Sequence, residues 1–348
     1  MSKDRVPKMR VAVVGAGLAS APHFQSLQDL QAELELAWVI GRNAERLAAL
    51  NLPAGARTST RLEDLLDDPT VQAVLVLTPP NTHLEIVRRV AGAGKHVLVE
   101  KPLEVSLDKA RQMVDICEHS GVKLAVMLQH RMRDAARALA QLVHSGDMGS
   151  LVGASASIRW WRPQSYYDEP GRGTLARDGG GVLMTQAIHT LDLLLCLTGM
   201  PEQVSAMAGT SAVHHMECED TVAAALHYPN GAIGSIDATT AAYPGFPERI
   251  ALQFTQGSAT LEAGEFHAEL LDGRKIHAGQ KQASGSGANL MAFDHHAHCA
   301  VLQDFVTAIR SDAEPAVSGR SALQVHQLIA AMMRSAGSGA AVLTLTQP

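Results

Sequence analysis

Three groups of residues in this chain have the types and spacing to act on a small bound molecule. Gly15 and Gly17 lie in the run Val-Val-Gly-Ala-Gly-Leu, Lys101 lies in Leu-Val-Glu-Lys-Pro, and His189 follows the three glycines at 179–181. Glycines let backbone N–H groups approach a pyrophosphate, and a lysine beside a nicotinamide can polarise or deprotonate a hydroxyl. An imidazole exchanges a proton near neutral pH. These residues predict dinucleotide-dependent chemistry at a hydroxyl group.

The first 128 residues alternate apolar runs with amphipathic segments. The runs predict strands at 10–14, 34–40, 58–59, 71–78, 96–101 and 123–128. The amphipathic segments predict helices at 18–30, 44–50, 62–66, 82–93 and 106–120. Alternating strands and helices form parallel βαβ units, so we expect an α/β fold with a doubly wound parallel sheet. The glycine turn and Lys101 each follow a strand, which places them at the edge where such sheets bind ligands.

The pattern changes after residue 129, where period-two alternation between turns predicts a mainly antiparallel sheet. The predicted strands are 151–161, 203–210, 221–227, 232–240, 250–254, 258–262 and 268–271, and the predicted helices are 134–144, 182–197, 296–311 and 321–335. The segment 277–291 is rich in Gly, Ser, Ala and Gln and is predicted to be a loop. We expect a nucleotide-binding domain at 1–128 and an α+β domain for substrate binding and oligomerisation at 129–348.

Composition argues against several classes of protein. The chain has 348 residues and a net charge of −6, which is unfavourable for a nucleic-acid partner. Its apolar runs are too short or too interrupted to span a bilayer, and the N-terminal residues lack a signal peptide's apolar stretch. The four cysteines have no CxxC spacing. We therefore expect a reduced cytoplasmic protein without a disulfide framework or a membrane partner.

The end of the second predicted strand bears on the choice of dinucleotide. NAD-binding domains place a carboxylate there, on the ribose hydroxyls. This chain reads Ile-Gly-Arg-Asn instead, and Arg42 can hold a 2′-phosphate. NADP is favoured over NAD; the alternative is that Arg42 stacks on adenine or faces solvent. The predicted cofactor-binding residues are Gly15, Gly17, Leu18, Ala19, Arg42, Thr78, Pro79, Asn81, His83, Glu100, Lys101 and Gln129.

A polar stripe on an apolar helix marks the other half of the predicted site. At about 100° per residue, Thr185, Gln186, His189 and Asp192 fall on one arc of the helix at 182–197. Such a stripe requires either water or a binding site. The glycines before it free the backbone to pass close to a ligand.

Aromatic and arginine residues upstream of this helix suit a polyol ring or an anionic group. Strand alternation sends Trp160 and Trp161 to opposite faces, so one of the two is expected in the core. The predicted substrate-binding residues are Lys101, Trp161, Arg162, Tyr167, Thr185, Gln186 and His189.

Two histidine-rich runs have the residue types of a metal site. They are His295-His296-Ala297-His298 and His214-His215-Met216-Glu217-Cys218-Glu219. Neither has zinc-finger spacing or the HExxH pattern. We predict no metal, and interpret the runs as a helix start and a loop.

The glycine turn, Glu100-Lys101-Pro102 and the Gly-Gly-Gly helix bearing His189 resemble the glucose–fructose oxidoreductase and inositol dehydrogenase family (Gfo/Idh/MocA). The resemblance covers nearly the whole chain. It implies an N-terminal Rossmann domain and a C-terminal domain with a large, mostly antiparallel sheet, which in this family often forms homodimers or homotetramers. The implied substrates are sugars, inositols, sugar acids and nucleotide sugars.

The resemblance also implies a mechanism. A substrate hydroxyl between the two domains would contact Lys101, which polarises its oxygen, and His189, which acts as general base while hydride passes to the nicotinamide. Inositol dehydrogenases carry an aspartate four residues before the histidine, where this chain has Thr185. The sequence Thr-Gln-Ala-Ile-His is more similar to that of the family branch containing UDP-N-acetylglucosamine-uronate 3-dehydrogenases. The inositol-type proton relay is therefore in doubt.

Two other functions are compatible with the same residues. One is a glycosidase that retains NAD and oxidises its substrate transiently, which is known in this family. The other is a cofactor-binding sensor without catalysis. The presence of Lys101 and His189 argues against the sensor, whereas the missing aspartate keeps it open.

Overall fold

The structure, a computed structural model, describes residues 7–281, 286–287 and 294–344. Its contacts divide the chain into two units, Met1–Gln129 with Asp294–Ala322, and His130–Phe293 with Leu323–Pro348. The sequence placed everything from 129 onward in one domain. Residues 294–322 instead group with the first unit, because the helix His296–Ser311 packs against the helix Ala21–Asp29.

The first unit is built on the predicted parallel sheet. Its six strands among the described residues are β1 (Met9–Val14), β2 (Leu34–Ile40), β3 (Arg57–Ser59), β4 (Ala73–Val76), β5 (His96–Val99) and β6 (Leu124–Val126). They lie in the order β3-β2-β1-β4-β5-β6, and all neighbours pair in parallel. All four residues of β4 are buried, which explains its unbroken apolar run. The strand order reverses between β1 and β4, the point where doubly wound sheets bind their ligands.

The second unit holds a larger sheet. In the described part of the chain its strands are β7 (Leu151–Arg159), β8 (Gln203–Gly209), β9 (Thr221–His227), β10 (Ile233–Thr239), β11 (Arg249–Phe254), β12 (Gly257–Glu262), β13 (Glu265–Leu270), β14 (Lys275–Gly279) and β15 (Val342–Leu343). The order is β14-β13-β12-β11-β7-β10-β9-β8-β15. Among these described strands only β7 and β10 pair in parallel, so the sheet is mainly antiparallel, as predicted.

The predicted loop at 277–291 is wrong at its start. Strand β14 continues to Gly279 and pairs with β13, with His277 opposite His267. This short polar strand has too little apolar alternation to be recognised in the sequence. Residues 282–285 and 288–291 of the predicted loop lie outside the described residues. Strand β15, which pairs with β8, was not predicted.

Helices cover both sheets. Within the described ranges they are α1 (Ala21–Asp29), α2 (Ala44–Ala48), α3 (Glu63–Leu66), α4 (His83–Gly92), α5 (Leu107–His119), α6 (Asp134–His144), α7 (Gln164–Tyr167), α8 (Ile188–Thr198), α9 (His296–Ser311) and α10 (Gly319–Ser338). None of these helices is at once long and apolar enough to cross a membrane. The predicted helix at 182–197 begins as a π-helix, Leu183–Ala187, before α8. The rotation of about 100° per residue that defined the polar stripe therefore does not apply to its first part.

A buried histidine should make the second unit sensitive to acid. His326 on α10 is 2% exposed, and burial lowers its pKa from 6.5 to about 4. Between these values the unfolded chain binds a proton that the folded chain does not, so this stabilisation is complete above pH 6.5 and falls as the pH drops. Acidification to about pH 4 should cost wild type about 3 kcal/mol through this group.

His326→Leu should therefore lose less stability than wild type between neutral and acid pH, measured as unfolding free energy or melting temperature at each pH. The control is His296→Leu, because the His296 side chain is 78% exposed. Its profile should follow that of wild type. Parallel profiles for wild type and His326→Leu would contradict the prediction.

Candidate functional site

The glycine turn after β1 contains two glycines with different requirements. Gly15 has φ +107°, and a Cβ there would lie 2.9 Å from the backbone carbonyl of Leu77. Its N–H donates to Ile40 O at 2.8 Å, which holds the turn against β2. A Cβ on Gly17 would have no heavy atom within 4 Å. The fold itself thus requires Gly15, whereas Gly17 leaves open space at the start of the 3-10 turn Leu18–Ser20, which includes Ala19.

Gly15→Ala should therefore lower stability, whereas Gly17→Ala should lower cofactor affinity. Gly15→Ala forces a side chain into positive φ, which costs about 1–2 kcal/mol before the overlap with Leu77 is counted. We expect a lower melting temperature for it. Gly17→Ala should melt like wild type and lose dinucleotide affinity, because its methyl group occupies space that a pyrophosphate needs. Calorimetry and cofactor titration separate the two effects, and equal melting losses would contradict this prediction.

A cleft of about 640 Å³ opens beside the turn, within the usual size range of ligand sites. The predicted cofactor-binding residues that line it are Gly15, Gly17, Arg42, Thr78 and Pro79. The predicted residues outside its lining are Ala19, Asn81, His83, Glu100, Lys101 and Gln129. Of the predicted cofactor-binding residues, the structure therefore brings together those at the ends of β1, β2 and β4.

The charged side chains that line the described cleft are all positive. Its lining residues include Arg42 and Arg46 and no carboxylate among the described side chains. Asn43 lies between them and caps α2, where its Oδ1 accepts the Arg46 N–H at 2.8 Å. Arg46 was not predicted. Its signal was available, because it lies one helical turn after Arg42 at the end of β2.

The turn between β4 and α4 is held by its own polar groups. Thr82 Oγ1 lies 2.8 Å from Thr78 Oγ1 and 2.8 Å from Pro79 O. His83 is fully buried, with Nε2 2.7 Å from Thr78 O and Nδ1 3.0 Å from Leu103 O. Burial lowers the pKa of His83, whereas its contacts with Thr78 O and Leu103 O act in the opposite direction. His83 thus ties the Thr78 turn to the segment after Lys101, and its contact with a cofactor stays a prediction.

Glu100 holds the backbone of Lys101 where the chain leaves β5. Its Oε2 accepts the Lys101 N–H at 3.0 Å, and its Oε1 lies 2.6 Å from Nε2 of His23 on α1. Burial alone would raise the pKa of Glu100. The hydrogen bond and charge of His23, with the charges of His298 and Lys101, lower it to about 2. Glu100 is therefore ionised and fixes the direction in which the main chain enters Lys101.

His23, Glu100 and His298 are also the one described group of three side chains close enough to share a metal ion, with ligand atoms within 4.8 Å of one another. Both oxygens of Glu100 are already engaged, by His23 and by the Lys101 N–H. A metal ion would have to displace the first of these contacts. We interpret the group as a hydrogen-bonded cluster, and the absence of a metal stays a prediction.

In each of the two histidine-rich runs, at least one histidine pairs with an aspartate. His295 pairs with Asp29 at 2.6 Å, and His214 pairs with Asp220 at 2.7 Å. Both side chains of the latter pair are fully buried. His214 Nε2 lies 2.8 Å from Arg162 O, so this pair supports the segment that follows β7.

In the second unit, Glu219 anchors the start of the π-helix. Its backbone oxygen accepts the Val182 N–H at 2.9 Å, and its carboxylate accepts those of Gly181 at 3.1 Å and Leu183 at 3.3 Å. A Cβ on Gly181 would overlap the Glu219 backbone oxygen, which explains the glycine. Burial raises the pKa of Glu219. This contact could not be predicted from local sequence, since the partners lie 38 residues apart.

The polar side chains of the π-helix bond to their own surroundings. Thr185 Oγ1 donates to Gly181 O at 2.7 Å and also contacts Gln186 Oε1. Gln186 is 4% exposed, and its Nε2 donates to the Tyr166 hydroxyl at 3.3 Å. Arg172 donates to the same hydroxyl at 3.0 Å. Gln186 is therefore linked to the aromatic segment around α7.

His189 and Asp192 have different neighbours on α8. Asp192 is fully buried and forms an ion pair with Arg131, whose Nε donates to Oδ2 at 2.6 Å. The expectation that Asp192 faces water or a ligand is wrong, because Arg131 compensates its charge in the interior. Burial alone would lower the pKa of Arg131. The Asp192 carboxylate has the larger effect, so the pKa is raised. His189 is 6% exposed, and its ring stacks on that of His130.

The aromatic segment resolves the choice between the two tryptophans. Trp160 is 9% exposed and belongs to the core, whereas Trp161 is half-buried and meets Tyr243 edge-on at 5.4 Å. Tyr167 is 7% exposed, with its hydroxyl 2.7 Å from Thr240 Oγ1. Burial raises the pKa of Tyr167. Trp161 thus retains the exposure that a substrate contact requires.

Arg162 is 3% exposed and turned into the protein. Its Nη1 donates to Trp161 O at 2.7 Å and to Gly287 O at 2.8 Å, and its guanidinium lies 5.0 Å from the Trp160 ring centre. Burial lowers its pKa. These contacts give Arg162 a role in holding the loop at Gly287, and its contact with a substrate stays a prediction.

Two family models match the chain. An oxidoreductase family model described as an NAD-binding Rossmann fold matches residues 9–128, and a GFO/IDH/MocA C-terminal domain model matches residues 136–260. The first covers the parallel sheet with the glycine turn and Lys101. The second covers the π-helix, α8 and most of the antiparallel sheet.

Individual proteins match over different lengths. The WlbA dehydrogenase of Bordetella pertussis, solved with NADH and UDP-GlcNAcA, is 30% identical with a TM-score of 0.83, covering 98% of this chain and 100% of that one. A myo-inositol 2-dehydrogenase of Thermotoga maritima is 25% identical over 319 residues, 89% of this chain and 91% of its own. An uncharacterized oxidoreductase of Schizosaccharomyces pombe is 28% identical over 232 residues, 64% of this chain and only 61% of its own length.

Proposed function

This chain belongs to the Gfo/Idh/MocA oxidoreductase family, and we propose that it transfers a hydride between a nicotinamide dinucleotide and a secondary alcohol or ketone of a carbohydrate-like substrate. The observation that carries the proposal is the cleft beside Gly15 and Gly17, at the point where the strand order reverses. Nucleotide phosphates bind at such a turn. The proposed reaction residues are Lys101, after β5, and His189, on α8.

The two residues have separate roles in the proposed reaction. Lys101 contacts the substrate oxygen and polarises it, and His189 accepts the hydroxyl proton as the carbon loses its hydride. The bound dinucleotide supplies the nicotinamide that takes the hydride. In the reducing direction His189 returns the proton to the new alcohol. Such general acid–base assistance contributes about 10²–10⁴-fold to rate.

The proposed substrate is an acidic sugar or a nucleotide sugar. Support comes from the WlbA dehydrogenase, which was solved with UDP-GlcNAcA. Thr185 further separates this chain from the inositol type, because its hydroxyl donates to Gly181 O and brings no charge to His189. The proposed substrate-binding residues beside the reaction pair are Trp161, Arg162, Tyr167, Thr185 and Gln186.

The proposed dinucleotide is NADP. Two arginines and no carboxylate line the described cleft, which favours the 2′-phosphate over free ribose hydroxyls. Arg42→Ala should therefore weaken NADP binding by about 10-fold to 100-fold, the usual value for hydrogen bonds to a charged group, and leave NAD binding unchanged. Arg46→Ala should act in the same direction.

Fluorescence titration with both dinucleotides tests this assignment. The control is Arg61→Ala, because the Arg61 side chain is 71% exposed and lies outside the cleft lining. It should bind both dinucleotides like wild type. Equal affinity for NAD and NADP, unchanged in Arg42→Ala, would show that Arg42 does not select the cofactor.

The function itself is tested by a screen of sugars, sugar acids and nucleotide sugars with NAD and NADP, read as NAD(P)H absorbance. We expect a substrate-dependent change with at least one acidic or nucleotide sugar. A cofactor that stays bound through purification, with substrate turnover but no net NAD(P)H, would favour the retained-NAD glycosidase. Cofactor binding without turnover of any of these substrates would favour the sensor.

We also propose a cytoplasmic homodimer or homotetramer. The four free cysteines suit a reducing compartment. The open face of β8, β9 and β10 carries Met207 at 81% exposure and Ile233 at 58%, with the small residues Ala223 and Ala225 between them. We propose that subunits associate through this face, because it exposes these two large apolar side chains. Light scattering of wild type and Met207→Lys tests whether this face holds subunits together.

A further inference from the structure

Two buried imidazoles are stacked in the second unit. The rings of His130 and His189 lie 4.8 Å apart between centres, with 26° between their planes. His130 is 4% exposed and His189 6%. A flat ring against the face of an imidazole restricts the rotation of that imidazole about its side-chain bond. The proposed base is therefore not free to turn.

The backbones of the two histidines are held in register by an ion pair. Arg131 follows His130 directly, and Asp192 lies three residues after His189 on α8. The fully buried Asp192 accepts from Arg131 Nε at 2.6 Å. The pair thus fixes the His130 segment against the helix turn that carries His189.

His130 is supported on a further side by charged and polar groups. Its Nε2 lies 3.8 Å from Glu248 Oε1, beyond hydrogen-bond distance, and that oxygen accepts from Arg133 Nη1 at 2.7 Å. Glu248 and Thr190 line a cavity of about 20 Å³, room for one water molecule. His130 thus lies next to the Glu248 carboxylate and this small cavity, in addition to the stacked ring of His189.

From this arrangement we propose that His130 is a positioning residue for the reaction, a role that rests on the proposed function of His189. His130 touches no reacting atom. It holds the plane of the His189 ring, so that the nitrogen that exchanges the substrate proton keeps its orientation through turnover. Misplacing a reacting group by about 1 Å costs about 10²-fold in rate.

The test compares His130→Ala with His130→Phe. His130→Ala removes the stacked ring, so kcat should fall by about 10-fold to 100-fold while KM stays close to wild type. His130→Phe keeps a flat ring and should recover most of kcat. The exposed His144 of α6 provides the control, because His144→Ala should match wild type in both constants. Melting temperatures and circular dichroism confirm that each variant is folded.

A double-mutant cycle decides whether His130 acts through His189. In the His189→Ala background, His130→Ala should cause no further loss of kcat. An equal loss in both backgrounds, a rise in KM alone, wild-type kcat in His130→Ala or no recovery in His130→Phe would overturn the inference. Wild-type turnover in His189→Ala would instead overturn the proposed function of His189, so the two failures are distinguishable.

Discussion

Lys101→Met and His189→Ala should each lower kcat by about 10²–10⁴-fold, the usual contribution of acid–base groups, and leave dinucleotide affinity close to wild type. Neither residue lines the cleft beside the glycine turn, so their loss should affect the reaction and not the binding of the nucleotide. Methionine keeps an unbranched side chain, one atom shorter than that of lysine, and removes the charge and the three donors. Steady-state kinetics on the substrate found by the screen and cofactor titrations measure the two quantities separately.

The relative size of the two losses carries additional information. Thr185, four residues before His189, donates its hydroxyl to Gly181 O at 2.7 Å. It therefore offers no carboxylate to raise the basicity of the imidazole. We expect the larger loss at Lys101, with partial recovery in Lys101→Arg, which restores the charge. Wild-type turnover in both Lys101→Met and His189→Ala would refute the assignment of the reaction to these residues.

The fold was predictable where burial of an element produces a periodic apolar pattern in its own segment of the sequence. Strand β2 was predicted with the bounds that the structure has, Leu34–Ile40, because an apolar run between polar turns has few other interpretations. Strand β14 lacks such a run and was missed. The position of α9 in the first unit depends on its packing against α1, far away in the chain. The apolar periodicity of the α9 segment contains no information about its packing against α1.

The candidate site was predictable only where backbone chemistry limits the residue type. Gly15 requires positive φ and a close approach to Leu77, and the sequence placed its turn correctly after β1. His130 and Glu219 were missed because nothing in their own segments shows that they meet His189 and the π-helix. The π-helix itself was read as regular α-helix, since a one-residue expansion of the turn leaves the apolar pattern almost unchanged.

Asp192→Ala should destabilise the second unit by about 3–5 kcal/mol, the typical cost of removing one partner of a buried ion pair. Asp192 is fully buried, and its loss would leave the Arg131 guanidinium charged and uncompensated in the interior. Denaturant unfolding of wild type and variant measures the difference. Asp178→Ala is less suitable as a comparison, because Asp178 itself accepts a buried backbone N–H from Gly173. The better control is Asp237→Ala, since the Asp237 side chain is 38% exposed in its pair with Arg159 and should contribute at most about 1 kcal/mol.

The double variant Arg131→Met/Asp192→Leu removes both charges and keeps apolar volume at both positions. It should therefore recover most of the stability lost in Asp192→Ala, because the penalty arises from the unpaired charge and not from the missing contact. Its turnover should stay low, since the ion pair also fixes the His130 segment against the helix turn of His189. Stability that returns together with full turnover would mean that packing alone aligns the two imidazoles. Stability that does not return would mean that the charges of the pair, and not only their mutual compensation, are required for this region to fold.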